Sequence, residues 1–399
     1  MPSLFAAVEQ APRDPILGIN EQFNADPNPA KVNLGVGVYF DENGKLPLLA
    51  CVKAAEERMI EAPKPRNYLP IDGIAAYDSA VQDLVFGADH PVRKAGRIAT
   101  VQAVGGTGGL KVGADFLKRL NPQAEVLISD PSWENHRALF EGAGFRVGTY
   151  PYYDALAHGV DVPAMLGALN AAAAGTVVVL HACCHNPTGY DIGAADWAKV
   201  IDAVRARNLV AFLDMAYQGF GDGIAEDGAV VRMFLEAGID FFVATSFSKS
   251  FSLYGERVGA LSVVCESKGE AERVLSQLKR VIRSNYSNPP THGAQVVTLV
   301  LSTPSLRAQW EAELATMRER IKTMRVALQQ KLGDAGLKQD MSFIRRQRGM
   351  FSYSGLSKEQ MQRLRDEFAI YGVDSGRICV AALNFHNIDT VVAAIARVA

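Results

Sequence analysis

The sequence has little net charge, few cysteines and no long apolar stretch, and each of these absences excludes a class of protein. Its 399 residues carry a formal net charge of −2 at pH 7, which gives no electrostatic reason to expect a nucleic-acid or membrane partner. The five cysteines are scattered and odd in number, which argues against a disulfide framework. The most apolar window, residues 169–184, is interrupted by polar residues and is too short to span a bilayer.

The amino terminus lacks both the basic start and the apolar run of a secretion signal. We therefore expect a soluble, cytoplasmic protein. Hydrophobic residues make up 48% of the sequence and charged residues 21%, which is ordinary for a globular chain. The length favours two domains with ample chain for a large core.

Short apolar runs alternate with helical patterns from about residue 50 to about residue 300. Strands separated by helices of ten or more residues predict crossover connections and a mostly parallel sheet, hence an α/β fold. The runs predicted as strands are 125–128, 176–180, 209–213, 241–245 and 261–264. The first forty or so residues are rich in Pro, Asn and Asp and are predicted to be irregular. Thr303 and Pro304 are predicted to end this region, before a long amphipathic helix over about 305–334.

The most informative segment is 246–257, which reads Ser-Phe-Ser-Lys-Ser-Phe-Ser-Leu-Tyr-Gly-Glu-Arg. Lys249 follows an apolar run, so we expect it just beyond the carboxyl end of a buried strand, where parallel sheets bind ligands. A partly desolvated lysine has a lowered pKa, and its amine can form a Schiff base with a carbonyl. Ser246, Ser248 and Arg257 carry donors suited to a phosphate beside it. Taken alone, the segment could also be a solvated loop with a surface arginine.

Other polar residues follow the ends of the neighbouring predicted strands. A carboxylate at Asp214, which ends an apolar strand, is costly unless it is paired. It would suit the protonated nitrogen of a pyridine ring, with the Tyr217 hydroxyl beside it, although a buried structural aspartate is the alternative.

The glycine run 105–109 precedes a helical pattern over 110–120, and such a run turns backbone N–H groups toward an anion.

Two arginines have side chains suited to a carboxylate. Arg377 precedes an apolar strand, and Arg283 precedes the segment Ser-Asn-Tyr-Ser-Asn-Pro-Pro. The planar guanidinium binds carboxylates in a bidentate manner, although a surface ion pair is the alternative for each arginine. Asn186 begins the turn Asn-Pro-Thr-Gly, and its amide can donate to a ring oxygen or serve the turn alone.

Four neighbouring residues have side chains that can bind zinc: His181, Cys183, Cys184 and His185. Adjacent cysteines are poor geometry for one tetrahedral ion, and no second ligand pair lies at metal-binding spacing. We therefore predict no metal site.

Together these residues resemble the class I pyridoxal-phosphate aminotransferases of the aspartate and aromatic-amino-acid subgroup, over essentially the whole chain. The motifs that carry the resemblance are 32–39, 67–69, 105–108, 183–189, 214–220, 246–259, 286–290 and 376–377. Within that subgroup, four segments are closer to the bacterial aromatic-amino-acid (tyrosine) enzyme than to the aspartate enzyme: 86–92, 132–136, 251–257 and 347–353.

The resemblance implies a fold-type I architecture. A large domain over 47–304 would bind the cofactor on a mostly parallel seven-stranded sheet. A smaller α/β domain would be built from both termini. Residues 1–46 would form an arm and part of that smaller domain, and residues 305–399 would supply a long connecting helix and the rest.

The resemblance also implies a role for each site residue. Lys249 would bind pyridoxal 5′-phosphate covalently and shuttle the α-proton, with Asp214 on the pyridine nitrogen and His136 behind that aspartate. The other cofactor contacts would be Asn186 and Tyr217 to the ring oxygen, Trp133 stacked on the ring, and Gly106, Thr107, Ser246, Ser248 and Arg257 to the phosphate, with Tyr68 of the partner subunit. The substrate would meet Arg377, Gly37, Asn186 and Trp133, and its side-chain carboxylate would meet Arg283 of the partner subunit.

The implied reaction is the transfer of the amino group from tyrosine or phenylalanine to 2-oxoglutarate by a ping-pong mechanism, with some aspartate activity. The partners would be amino acids and 2-oxo acids, in a homodimer with shared active sites and with no nucleic acid or membrane. The main alternative is an aspartate aminotransferase. A lyase or decarboxylase on the same fold, or a non-catalytic relative, are further alternatives. Gly105 stands where many relatives have serine, which leaves only backbone at that point.

Overall fold

The structure, a computed structural model, describes residues 3–337 and 339–399. Its helices are α1 Leu17–Ala25, α2 Ala50–Glu61, α3 Ala75–Gln82, α4 Pro91–Lys94, α5 Gly105–Leu120, α6 Glu134–Gly142, α7 Val162–Ala171, α8 Ala194–Ala206, α9 Ile224–Asp227, α10 Ala229–Glu236, α11 Lys268–Asn285, α12 His292–Ser302, α13 Pro304–Asp334, α14 Lys358–Phe368 and α15 Ile388–Val398. A π-helical turn at Asp83–Gly87 and 3₁₀ turns at Ser342–Arg346 and Val380–Ala382 complete the helical segments.

The strands are β1 Val32–Asn33, β2 Ile98–Val104, β3 Glu125–Asp130, β4 Arg146–Pro151, β5 Tyr153–Asp154, β6 Gly159–Val160, β7 Val177–His181, β8 Val210–Met215, β9 Phe241–Ser246, β10 Val258–Val264, β11 Phe351–Tyr353, β12 Ile370–Tyr371 and β13 Arg377–Cys379. Seven of them form one sheet in the order β2-β10-β9-β8-β7-β3-β4. Only β10 runs antiparallel to its neighbours, and the other pairs are parallel. The predicted fold class is confirmed.

The central strands are apolar on both faces because helices cover both sides of the sheet. In β7, Val177 and Val179 belong to one hydrophobic core, whereas Val178 and Leu180 belong to the other. Side chains alternate across a strand, so a continuous apolar run fills two cores at once. This pattern is why the sequence predicts buried parallel strands here.

The long helix α13 joins the sheet region to the carboxyl-terminal segment. Its buried residues recur every three or four positions, which gives one continuous apolar face: Leu306, Trp310, Leu314, Met317, Ile321, Met324, Leu328 and Leu332. Helix α12 ends at Ser302, so the predicted break is present, but Pro304 is the first residue of α13 rather than part of the break. Among the described residues, no helix is long and apolar enough to cross a membrane.

Both termini contribute to a second set of short strands. Strand β1 pairs in parallel with β12, and β11 pairs antiparallel with β13. The prediction that the first forty residues are irregular is wrong for α1. Phe23 packs edge-on against Tyr371, and Ile19 is buried in the same small cluster, so tertiary contact stabilises this helix. The domain boundaries stay predictions.

A second difference from the prediction concerns the glycine run 105–109, which lies inside the first turns of α5 rather than before the helix. Helix α5 packs so closely on the sheet that no side chain fits at two of its glycines, Gly109 and Gly113. A Cβ at Gly109 would lie 2.9 Å from the carbonyl oxygen of Ala260, and one at Gly113 would lie 2.5 Å from Phe212. Packing here overrides the low helix propensity of glycine.

Candidate active site

A cavity of about 260 Å³ opens at the carboxyl edge of the sheet. Three of its lining residues come from neighbouring strands: Asp214 from β8, Asn186 from the loop after β7, and Lys249 from the loop after β9. Carboxyl ends of parallel strands meet at one edge, so residues far apart in the sequence converge. Because β10 is antiparallel, its amino end brings Arg257 to the same edge.

One end of the cavity is built for an anion. Gly106 and Thr107 lie in the first turn of α5, and Ser246 and Ser248 face the cavity beside them. The Arg257 guanidinium donates to the Ser248 hydroxyl at 3.1 Å. A helix amino terminus, hydroxyls and a guanidinium form a donor set that fits a phosphate group.

Gly105 borders this end, and no side chain fits there. Its φ is +69°, and a Cβ would overlap the Arg257 guanidinium. A serine at this position would need a shift of Arg257 together with a strained backbone. Glycine at position 105 therefore leaves the space that the Arg257 guanidinium occupies in this structure.

Lys249 lines the cavity as well, and its amine lies 4.9 Å from the centroid of the Tyr217 ring. Burial, with smaller effects from Arg257 and Arg377, lowers the pKa of Lys249 to about 8, although Asp214 acts in the opposite direction. An amine with this pKa is partly neutral near physiological pH, which allows it to act as a nucleophile and as a proton acceptor.

Asp214 is the one carboxylate among the described residues that line the cavity. Its Oδ2 lies 3.0 Å from Nε2 of His136, whose Nδ1 lies 2.9 Å from the Ser132 hydroxyl. Burial acts to raise the pKa of Asp214, but the His136 hydrogen bond and the charges nearby lower it below the usual range. The group is therefore an anion that can hold a proton on a basic ring nitrogen.

Arg377 also lines the cavity and is only 1% exposed. Its Nη1 donates to Oδ1 of Asn186 at 3.0 Å, and its Nη2 donates to the Gly35 carbonyl at 2.6 Å. The guanidinium carbon lies 4.4 Å from the centroid of Phe351. These bonds use one N–H of Nη1 and one of Nη2, and each nitrogen carries a second N–H, so this fixed arginine retains donors for a ligand.

The structure brings most of the predicted site residues together around this cavity: Gly37, Gly106, Thr107, Trp133, Asn186, Asp214, Tyr217, Ser246, Ser248, Lys249, Arg257 and Arg377. His136 lies behind Asp214 rather than in the wall. Tyr68 and Arg283 do not reach the cavity of their own chain. Tyr68 is 87% exposed, and Arg283 is exposed on the last turn of α11, where it bonds the Ser287 hydroxyl.

Several lining residues were missed by the sequence analysis as site residues. His181 packs between the rings of His136 and His185, and burial lowers its pKa to about 3, so it is neutral. Its position at the end of β7 is a signal that could have identified it. The apolar residues that line the cavity come from distant segments, and nothing in the sequence near them indicates a site: Ile16, Val36, Val38, Leu110, Ala216 and Phe351. Tyr254, inside the lysine segment, also lines the cavity, and its hydroxyl oxygen accepts the Tyr39 N–H at 3.0 Å.

A family model described as aminotransferase class I and II matches residues 29–395. The chain is 63% identical over 396 residues to an aspartate aminotransferase of Pseudomonas aeruginosa, which covers 99% of this chain and 100% of that protein. It is 50% identical over 396 residues to the aromatic-amino-acid aminotransferase of Escherichia coli, with 99% and 100% covered. The crystal structure of an aromatic-amino-acid aminotransferase from Burkholderia pseudomallei, covalently bound to pyridoxal phosphate, matches with a TM-score of 0.97, 64% identity and 99% of each chain covered.

Proposed function

The chain belongs to the class I and II aminotransferase family, and on that premise we propose that it transfers the amino group of tyrosine and phenylalanine to 2-oxoglutarate. The cofactor would be pyridoxal 5′-phosphate, as in the Burkholderia pseudomallei relative. One observation carries the proposal. Lys249 and Asp214 line one cavity together with a set of donors suited to a phosphate and with the buried Arg377.

The donor set of the cavity fits pyridoxal phosphate. Ser246, Ser248, Thr107 and Arg257 offer hydroxyl and guanidinium donors for the phosphate. A Cβ at Gly106 would lie 3.0 Å from the Cβ of Ser246, so the glycine lets Ser246 approach the first turn of α5 without crowding. Asp214 would hold the ring nitrogen, and the Lys249 amine would bind the carbonyl carbon.

Each site residue then has a separate task. Lys249, with its lowered pKa, would take the α-proton from the amino donor and pass it to the cofactor in the first half-reaction, and would pass a proton to Cα of the amino-acid product in the second. When bound, pyridoxal phosphate supplies the electron sink for the charge left at Cα. Asp214 keeps the ring nitrogen protonated, and His136 keeps Asp214 ionised and oriented. Arg377 binds the α-carboxylate, so the Cα–H bond is presented to the lysine.

The cavity walls support an aromatic substrate side chain. Apolar side chains line part of the cavity, including Val38, Ile16 and Phe351. Among the described lining residues, the cations are Lys249, Arg257 and Arg377, and each already has a task in the proposed reaction. An aspartate side chain needs a further cation, which Arg283 of the partner subunit would supply.

Aspartate aminotransferase is the second candidate, and the observation that favours it is the similarity to the Pseudomonas aeruginosa relative.

The active unit would be a homodimer with shared sites, because Tyr68 and Arg283 are exposed and lie outside the cavity of their own chain. Two inactive variants, Lys249→Ala and Arg283→Asp, would then restore some dicarboxylate activity when their subunits are mixed. The mixed dimer contains one site with neither substitution. Full activity of a species that light scattering finds to be monomeric would refute the shared site.

The substrate is tested by specificity constants for tyrosine, phenylalanine and aspartate, measured side by side with 2-oxoglutarate as acceptor. We expect both aromatic donors to be used at least as well as aspartate. A kcat/KM for aspartate far above those for both aromatic donors would make the protein an aspartate aminotransferase instead.

A further inference from the structure

We propose that Asp191 is a positioning residue for the substrate-carboxylate clamp, acting through the loop 183–191 that carries Asn186. The inference rests on the proposed function, because the clamp is the pair formed by Arg377 and Asn186. Asp191 does not line the cavity, so it would not touch the substrate. It would instead hold the backbone from which Asn186 projects.

The Asp191 carboxylate binds two successive backbone N–H groups. Oδ2 accepts from the N–H of Cys184 and Oδ1 accepts from the N–H of His185, both at 2.8 Å. Cys184 has a φ of +52°, the left-handed conformation that turns neighbouring N–H groups toward one anion. This conformation is costly for a residue with a Cβ, and two charge-assisted hydrogen bonds offset the cost.

The held segment leads directly into the clamp. Asn186 follows His185, is buried, and accepts the hydrogen bond from Nη1 of Arg377. A rotation of the backbone at 184–185 would therefore move the Asn186 amide and the guanidinium that it orients. Among the residues that the structure describes, the Gly35 carbonyl is the other hydrogen-bond partner of Arg377, so the plane of the guanidinium would be less well fixed.

Other contacts also hold this loop, including hydrogen bonds of the His185 ring with Ser129 and Thr188, but the N–H groups of Cys184 and His185 donate to Asp191. The N–H of Arg348 donates to the Gly189 carbonyl at 2.7 Å, and the His185 ring stacks on Tyr152 at 3.9 Å. Burial raises the pKa of Asp191 to about 6, with Asp227 acting in the same direction, whereas the two N–H donors and Arg348 lower it. The side chain is therefore an anion at neutral pH, which suits two donors.

The first test measures amide hydrogen exchange in the cofactor-free protein and does not depend on turnover. Asp191→Asn keeps the shape but turns an NH₂ group toward one of the two N–H donors. We expect the peptide that covers 183–190 to exchange about tenfold faster, as for a lost charge-assisted hydrogen bond. The control is Asp154→Asn, because Oδ1 of Asp154 also accepts from two backbone N–H groups, those of Leu156 and Ala157, on a separate loop. The control should leave exchange at 183–190 unchanged.

The second test separates positioning from stability. Asp191→Asn should raise KM for every amino donor, and the Kd of the non-reacting carboxylate 3-phenylpropionate, by about tenfold, with a smaller change in kcat. In an Asn186→Ala background the same substitution should no longer change that Kd, although it should still lower the melting temperature. An unchanged Kd in the Asp191→Asn single variant, or unchanged exchange at 183–190 in that variant, would overturn the positioning role. Absence of transamination by the wild-type protein would refute only the proposed function.

Discussion

Replacement of Arg377 by lysine tests the substrate clamp, because it keeps the charge and removes the planar fork. The guanidinium is buried and bonds Asn186 and the Gly35 carbonyl through separate nitrogens. Lysine has one ammonium group at the end of a flexible stem and cannot satisfy both partners and a carboxylate in the same plane.

The size of the effect follows from the contacts that are lost. One hydrogen bond to a charged group contributes about 1.5–3 kcal/mol, and a buried carbonyl left without its donor costs about 1–3 kcal/mol. We therefore expect Arg377→Lys to lower kcat/KM by about 10²-fold or more for tyrosine, phenylalanine and aspartate alike, since all three present the same α-carboxylate. Steady-state kinetics at a fixed 2-oxoglutarate concentration would measure this fall.

A matched control is Arg363→Lys, which makes the same change on the exposed face of α14, where Arg363 pairs with Glu367. This variant should retain the wild-type specificity constants. A fall at Arg377→Lys that affects aspartate but spares both aromatic donors would contradict the assignment of Arg377 to the shared carboxylate. A fall of less than about threefold for all three donors would contradict it as well.

Two further predictions concern the side-chain reader and the lysine. Arg283→Leu should lower single-turnover rates with aspartate by about 10²-fold and leave those with phenylalanine intact, because only aspartate loses an ion pair. Equal losses for the two donors would mean that Arg283 does not contact the substrate side chain. The pKa of Lys249 is about 8 in the folded protein against 10.5 for a free side chain, so the unfolded chain binds more protons between these pH values, and stability from this group rises with pH there. The unfolding free energy of the cofactor-free wild type minus that of Lys249→Met should therefore rise by up to about 3 kcal/mol from pH 8 to pH 10.5, and a flat difference would mean that the lysine is not desolvated.

Residues at the ends of apolar strands were predictable from the sequence, because strand polarity alone places them at one edge of the sheet. Lys249, Asp214 and Asn186 are examples, and all three line the cavity. Their buried strands have two-sided apolar runs that sequence patterns identify well. The fold class was predictable for the same reason.

The rest depended on contacts between distant segments. Phe351 packs under the Arg377 guanidinium because β11 pairs with β13, a pairing of two three-residue strands that no local pattern predicts. Helix α1 has a weak local signal and owes its position to Tyr371, which lies near the other end of the chain. The start of α5 was placed too late because its glycines serve close packing rather than a loop.

The most direct test of the account follows the amino nitrogen itself. With ¹⁵N-tyrosine, 2-oxoglutarate and pyridoxal phosphate, the protein should produce ¹⁵N-glutamate and 4-hydroxyphenylpyruvate in equal amounts, and Lys249→Ala should produce neither. Release of ¹⁵N-ammonia or of the decarboxylated amine without labelled glutamate, or full activity of Lys249→Ala, would contradict it.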